Sequence, residues 1–78
     1  MMNDQLNLNT AKDAYCYARD VIEGRWLGGE AIIATDPENA YLYARYIIKG
    51  RWKEGELTIM FSDHATDYAE LTGMSIAV

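Results

Sequence analysis

The chain has 78 residues, half of them apolar, and is expected to fold as one small domain. A chain of this length buries only ~60% of its unfolded surface and does not divide into two cores. Twelve acidic residues against seven basic ones give a net charge of -5, which argues against direct nucleic-acid binding. The single cysteine, Cys16, excludes an internal disulfide and a cysteine-based zinc cluster.

The chain begins with a polar stretch, MMNDQLNLNT, that contains no signal-peptide hydrophobic region. Its longest uncharged apolar stretch, around Ile32, is far shorter than the ~18 residues that a transmembrane helix needs. We therefore expect a soluble, cytoplasmic protein with no membrane partner.

A first helix is predicted over about residues 11–23. Thr10 with Asp13 three residues later is a helix N-terminal signal, and Gly24 is expected to end the helix in the left-handed conformation. At about 100° per residue, its apolar residues form one arc of roughly 160°, with alanines at the centre for close packing and tyrosines at the edges, whose hydroxyls reach water or a partner. The arc consists of Tyr17, Val21, Ala14, Ala18, Ile22 and Tyr15.

The next segment connects this helix to a second copy of the same phrase. We expect a short helix beginning near Glu30, with Trp26 packing across the corner, and the same arrangement near Glu56 with Trp52. The alternative is an α+β fold with short strands near 31–35 and 57–61, because apolar runs of this length cannot be assigned by periodicity alone. Helical hairpins are favoured because they stack without leaving a sheet edge open.

Residues 40–52, AYLYARYIIKGRW, restate residues 14–26, AYCYARDVIEGRW, 26 positions later. Nine of the fourteen positions in 13–26 and 39–52 are identical, which indicates an internal repeat. Asp36 followed by Pro37 predicts the start of a second helix, over about residues 37–49, and Gly50 its left-handed end.

A weaker third copy, HATDYAELTG, predicts a helix over about 63–72, capped by Ser62 or Asp63 and ended near Gly73. The sequence therefore predicts an all-α fold in a single domain, 1–78. It consists of repeat 1 (about 10–35), repeat 2 (about 36–61), a degenerate partial repeat (62–73) and a tail (74–78).

The phrase AYLYARYIIKGRW, preceded by TDPEN and followed by EGE, resembles a tandem repeat of uncharacterised phage and bacterial proteins. That repeat reads roughly Asp-Pro-Glu-x-Ala-Tyr-x-Tyr-Ala followed by Gly-Arg-Trp or Gly-Arg-Phe, and the resemblance covers residues 10 to about 60. The first copy departs from it at Thr10 and Ala11, and the third lacks the Gly-Arg-Trp end. The resemblance implies a phage or prophage origin and carries no activity.

The positions that differ between the copies point to a contact surface. Most of them lie on one stripe opposite the apolar arc, and tyrosine is favoured at protein interfaces. The predicted protein-binding residues are Leu42, Tyr46 and Lys49 of the second helix and Cys16, Asp20 and Glu23 of the first. Alternatively, the third helix or the tail MSIAV covers this stripe, within the molecule or within a homodimer.

The recurring charges have a structural interpretation. Arg19 and Arg45 are expected to form salt bridges with Glu30 and Glu56, a pocket for an anionic ligand being the alternative. Arg25 and Arg51 beside the glycines are expected to contact helix C-terminal carbonyls.

We predict no catalytic, metal or cofactor site. Cys16 has only His64 as a candidate base, and His64 has carboxylates within helical reach, Asp63, Asp67 and Glu70, but no second histidine. The segment GRWLGGE lacks the spacing of a phosphate-binding loop, so its glycines are interpreted as turn residues.

The sequence therefore predicts a small acidic protein-interaction module, not an enzyme, that binds a host or phage protein as an adaptor or inhibitor. A first alternative is a nucleic-acid mimic, in which Asp13, Asp20 and Glu23 occupy a DNA-binding or CRISPR-type effector protein. A second is a homo-oligomeric structural protein of a virion.

Overall fold

Five helices form the structure, a computed structural model that describes residues 10–73. In chain order they are α1 (Ala11–Tyr17) with a π-helical continuation (Ala18–Ile22), α2 (Leu27–Ile33), α3 (Pro37–Tyr43) with a π-helical continuation (Ala44–Ile48), α4 (Lys53–Met60) and α5 (Ala65–Thr72). The described residues contain no strand, so the prediction of an all-α fold is confirmed and the alternative with strands near 31–35 and 57–61 is wrong. None of these helices is long and apolar enough to cross a membrane.

The two long helices begin where their capping residues predict. The hydroxyl of Thr10 accepts a hydrogen bond from the N–H of Asp13 at 3.1 Å, and the carboxylate of Asp36 accepts one from the N–H of Asn39 at 2.9 Å. Each bond satisfies an amide group that the first helical turn leaves free. The helix of the third repeat, α5, begins later than predicted, at Ala65. In the turn before it, the hydroxyl of Ser62 accepts a hydrogen bond from the N–H of His64 at 3.1 Å.

The long helices end one residue earlier than the glycines predict. Glu23 and Lys49 adopt the left-handed conformation, with φ of 62° and 64°, while Gly24 and Gly50 do not. The reason is the final π turn, in which the N–H of Glu23 donates to the carbonyl of Ala18, five residues back, at 2.7 Å. The prediction for the third helix is confirmed, because Gly73 ends it with φ of 76°.

We expected the short helices to begin near Glu30 and Glu56, and α2 and α4 begin three residues before these glutamates, at Leu27 and Lys53. Their first turns pass directly beneath the tryptophan rings, so a Cβ on Gly29 would lie 2.3 Å from the indole of Trp26. A Cβ on Gly55 would likewise lie 2.6 Å from Trp52. Interpreting the glycines of GRWLGGE as turn residues was therefore wrong for Gly28 and Gly29, which lie inside α2, while Gly24 does lie in the bend before it. Gly29 permits the close packing on Trp26.

Each long helix and the short helix after it form one helical-hairpin unit, and the units pack side by side through their alanines. Ala18 and Ala44 are fully buried, whereas Asp20 and Glu23 are exposed. The repeats therefore bury the residues they share and expose most of those in which they differ. The buried cluster consists of Ala14, Tyr15, Ala18, Ile33, Ala40, Tyr41, Tyr43, Ala44, Trp52, Ile59 and Tyr68.

One part of the predicted apolar arc is wrong. Val21 and Ile22 are 60% and 41% exposed, while their counterparts Ile47 and Ile48 are half-buried and pack against the core. The second unit lies between two others, since its π turn contacts both the π turn of the first unit and α5. The first unit has a neighbour on one side only among the described residues, so its last turn is left open.

Candidate functional site

A shallow groove crosses the exposed side of the two long helices and α5, and we call it the outer groove. It consists of three adjoining hollows of about 240, 230 and 460 Å³. Arg19 lines the first and second hollows, and Tyr46 lines the second and third. The groove therefore continues from the first unit to the third, and Tyr46 lies near its middle.

Five of the six predicted binding residues line this groove. Cys16 and Leu42 line the first hollow and are half-buried, so they form its floor more than its rim. Glu23, Tyr46 and Lys49 line the second hollow and are exposed. The sixth residue, Asp20, is exposed beside the groove and is held there by Arg19.

Helix α5, which belongs to the third repeat, flanks the groove without covering it. Tyr46 remains 51% exposed, even though Asp67, Glu70 and Leu71 of α5 line the hollow on its other side. The alternative in which α5 hides the whole stripe is therefore wrong. The tail MSIAV, the other candidate cover, lies outside the described residues.

Sequence reasoning missed the residues that α5 contributes to the groove. The third copy carries the signal that places them, because it follows the second at a spacing of 25 residues instead of 26. At that spacing Leu71 takes the position of Tyr46, and Asp67 takes the position of Leu42. The unmatched stripe therefore extends over all three units.

Arginine side chains hold the aromatic rings of the groove in place. Arg45 donates a hydrogen bond to the hydroxyl of Tyr41 at 2.8 Å and lies 5.3 Å from the ring centroid of Tyr46. The bond to Tyr41 raises the pKa of the Arg45 guanidinium, so its charge is permanent at any physiological pH. A cation over one ring face restricts the tyrosine while its other parts stay accessible.

Arg19 makes a similar arrangement in the first unit. It binds both carboxylate oxygens of Asp20 at 2.8 Å and lies 5.3 Å from the ring centroid of Tyr15. These hydrogen bonds hold the pKa of Asp20 below its usual range. Because this carboxylate is paired with an adjacent cation, it presents little free negative charge to a partner.

The recurring glutamates pair with different arginines from those predicted. Glu30 binds Arg25 through both oxygens, at 2.9 and 3.0 Å, and Glu56 binds Arg51 in the same way, at 2.7 and 3.0 Å. The predicted bridges from Arg19 and Arg45 are wrong, as is the expectation that Arg25 and Arg51 contact helix carbonyls. The reason is the turn before each short helix, which places the arginine five residues before the glutamate and on the same corner.

Each of these corners is closed by a tyrosine of the next unit. The hydroxyl of Tyr43 donates a hydrogen bond to the carboxylate of Glu30 at 2.7 Å and accepts one from the backbone N–H of Trp26 at 2.9 Å. The hydroxyl of Tyr68 repeats both contacts, to Glu56 at 2.9 Å and from Trp52 at 2.8 Å. We call each such set a seam, because it joins one unit to the next.

The first seam has the electrostatics of a structural ion pair. Burial alone would raise the pKa of Glu30, but hydrogen bonds from Arg25 and Tyr43 outweigh it and hold that pKa below its usual range. The indole N–H of Trp52 also faces this carboxylate and helps to lower its pKa, although it makes no hydrogen bond of regular geometry. Burial and the bond to Glu30 raise the pKa of Tyr43 to about 12. Because Glu30 and Tyr43 are held by these partners, they stabilise the stack instead of forming a reactive pair.

Cys16 and His64 lie in structural surroundings. The sulfur of Cys16 is 3.9 Å from a guanidinium nitrogen of Arg19, and the imidazole of His64 stacks on Tyr41 with ring centroids 5.6 Å apart. Among residues 10–73, no three side chains of the histidine, cysteine, aspartate or glutamate type come together as a metal site.

No family model matches the chain, and neither a curated protein nor a solved structure matches it. The resemblance to the phage repeat proteins therefore stays a prediction. What can be said of function comes from the outer groove and the seams.

Proposed function

We propose that this chain is a phage-derived protein-interaction module whose outer groove binds a host or phage protein as an adaptor or inhibitor. The observation that carries the proposal is the position of Tyr46, half-exposed in the middle of the groove with Arg45 over its ring. A large aromatic side chain held in one orientation loses little conformational entropy on binding, which is why tyrosine is enriched among residues that dominate binding energy. Leu42 supplies an apolar floor next to it.

The charges around the groove favour a protein over other partners. Arg19 and Lys49 line the same hollow as Glu23, and Arg45 lines the same hollow as Asp67 and Glu70. Alternating signs of this kind complement the mixed surface of a folded protein. They offer no continuous basic track for a nucleic-acid backbone.

The same pattern argues against a nucleic-acid mimic. A mimic needs a run of unpaired carboxylates, whereas Asp20 is paired with Arg19 and Glu23 shares its hollow with Lys49. Asp13 lies on the first turn of α1, where the helix N-terminus favours a negative charge. If mimicry were nevertheless the function, binding would weaken steeply with added salt, since exposed charges are screened beyond a Debye length.

The test compares two double variants as baits. Leu42→Ala with Tyr46→Ala removes the apolar part of the groove. Leu57→Ala with Phe61→Ala is the matched control, because it removes the same kinds of side chain from α4 and its C-terminal cap, where they are 71% and 86% exposed. Circular dichroism first establishes that both variants keep the helical content of the natural chain.

Each bait is then incubated with a lysate of the source cells, and the captured proteins are quantified by mass spectrometry. The proposal predicts a protein that the natural chain and the α4 variant retain and the groove variant loses by about tenfold or more, as expected for an interface anchor. Equal retention by the groove variant, or loss with the α4 variant alone, would contradict the proposal.

A further inference from the structure

The two seams follow one rule, which can be stated in sequence terms. One unit supplies a corner of the form Arg-Trp-x-x-x-Glu, and the next unit supplies a tyrosine from its first helix, α3 or α5. In the first seam the tyrosine is Tyr43, and in the second it is Tyr68. Both tyrosines are fully buried, while the arginine of each corner stays about half-exposed.

Tyr17 is the same residue in the first unit, 26 positions before Tyr43. Its ring packs on Trp26 with centroids 4.7 Å apart and an interplanar angle of 55°, and Tyr43 packs on Trp52 with the same distance and angle. Tyr17 is thus already in the orientation that closes a seam. Yet no residue among 10–73 forms a hydrogen bond with its hydroxyl, and the ring is only half-buried.

The surroundings of Tyr17 are open in the same way. Val21, one turn later on the same helix, is 60% exposed, whereas Ile47 at the matching position of the second unit is half-buried. Trp26 is also half-buried, whereas Trp52 is 1% exposed. The end of the stack thus presents one oriented hydroxyl, that of Tyr17, beside partly exposed apolar surface. On the second unit, the equivalent surface around Tyr43 is covered by Glu30 and the rest of the first unit.

We propose that this end of the stack, around Tyr17, docks a helical-hairpin unit of another polypeptide. The last corner of that unit carries Arg-Trp-x-x-x-Glu, and no following helix supplies a tyrosine to close it. The glutamate of that unit would accept from the Tyr17 hydroxyl, and the backbone N–H of its tryptophan would donate to the same hydroxyl. This surface is separate from the outer groove and involves a different set of contacts.

Residues 1–78 offer no free corner of this form. The corner at Glu30 is filled by Tyr43 and the corner at Glu56 by Tyr68, in every copy of the molecule. Residues 62–78 contain neither arginine nor tryptophan, and residues 1–9 contain no arginine, tryptophan or glutamate. A carboxylate from Asp4 is the one substitute that the first nine residues offer.

The test supplies the missing unit in register. A second copy of residues 36–61 is inserted between Asn9 and Thr10 of the full chain, which places its corner 26 positions before the existing one. The tether keeps the added unit at an effective concentration of about millimolar, so weak docking is detectable. The Tyr17→Phe substitution and a glutamate-to-glutamine substitution in the added corner are made singly and together, and denaturant midpoints are measured.

The proposal predicts that Tyr17→Phe lowers the midpoint of the extended chain by as much as Tyr43→Phe lowers that of the natural chain. In the glutamine version the same substitution loses most of its effect. In the natural chain Tyr17→Phe leaves the midpoint unchanged. An equal effect of Tyr17→Phe in the extended and natural chains would overturn the proposal.

Asp4→Asn in the natural chain provides the remaining control. If Tyr17→Phe and Asp4→Asn each lower the midpoint and their effects are not additive, Asp4 already occupies the site, and docking of another unit is refuted. A midpoint of the natural chain that Tyr17→Phe leaves unchanged, both with Asp4 and with Asp4→Asn, agrees with a free surface. Because none of these substitutions lies in the outer groove, the outcome is independent of the groove's function.

Discussion

The hydroxyl of Tyr43 lies 2.7 Å from a carboxylate oxygen of Glu30 and joins the second helical unit to the first. Glu30 is only 7% exposed, and Tyr43 is fully buried. This buried carboxylate is tolerated because it is paired with Arg25 and accepts a further hydrogen bond from Tyr43. The seam therefore couples the stability of the stack to the protonation of both residues.

We predict a loss of stability in acid that arises from the seam glutamates. The pKa of Glu30 and that of Glu56 are held below the usual value of 4.5, in Glu30 against the effect of burial. A lowered pKa contributes stability that is fully present above pH 4.5 and is lost as the pH falls through the lower, folded-state value. The free energy of unfolding, measured with denaturant at a series of pH values from neutral into this range, should show the loss. In Glu30→Gln that free energy should depend less on pH. An unchanged profile in Glu30→Gln would show that other carboxylates cause it.

At alkaline pH the sign is reversed and the tyrosines of the seams are responsible. Burial is the main cause that raises the pKa of Tyr43 and of Tyr68 to about 12. A raised pKa contributes stability that is fully present below pH 10 and is lost as the pH rises through about 12. Near-ultraviolet absorbance should show two tyrosines ionising in this last range, and Tyr43→Phe should remove one of them. If that substitution changes no late step, Tyr43 is not buried as described.

The alanine contacts between units set a limit on side-chain size. Ala44 is fully buried in the middle unit, so Ala44→Leu should destabilise the protein by roughly 1–3 kcal/mol through overpacking. Ala31→Leu is the matched control, because Ala31 is exposed and the second unit carries Leu57 at the same position. We expect the control to stay within about 0.5 kcal/mol of the natural chain. Denaturant unfolding of the two variants decides the point, and similar losses in both would contradict the packing.

The left-handed residues at the helix ends give a prediction of the opposite sign. Lys49 has φ of 64°, a conformation that costs a residue with a Cβ roughly 1–2 kcal/mol. Lys49→Gly relieves it and loses about 0.4–1 kcal/mol of that gain through the more flexible unfolded chain. We therefore expect a net stabilisation of about 0.5–1 kcal/mol by thermal or denaturant unfolding.

Gly50→Ala is the companion experiment. A Cβ there meets no atom within 4 Å, and Gly50 does not have a positive φ. The substitution should be neutral or stabilising by up to about 1 kcal/mol. Marked destabilisation would mean that Gly50, as the sequence suggests, is the left-handed residue.

Much of the fold could be predicted from the sequence because the repeat displays its own pattern. Shared letters such as Ala18 and Ala44 marked the buried side, and differing letters such as Asp20 and Glu23 marked the exposed one. Capping at Thr10 and Asp36 was predictable because it depends on residues within one turn.

The features that were missed depend on geometry that one unit does not contain. A π turn leaves no periodicity signal in five residues, so the shift of the left-handed position to Glu23 was not visible. The partner of Glu30 depends on how the corner folds, and the contact with Tyr43 is made across units. The groove residues were found because their positions follow helical spacing, whereas the contribution of α5 required the shorter spacing of the third copy.

One set of measurements tests most directly the claim that tyrosines close the corners of preceding units. The free energy of unfolding is compared for Tyr17→Phe, Tyr43→Phe and Tyr68→Phe, which remove the same atom from the same place in three units. We predict losses of about 1–3 kcal/mol for Tyr43→Phe and Tyr68→Phe, because each leaves a tryptophan backbone N–H without its acceptor and removes one hydrogen bond from the seam glutamate. For Tyr17→Phe we predict a change within about 0.5 kcal/mol. Equal losses at all three positions, or none at Tyr43 and Tyr68, would contradict the account.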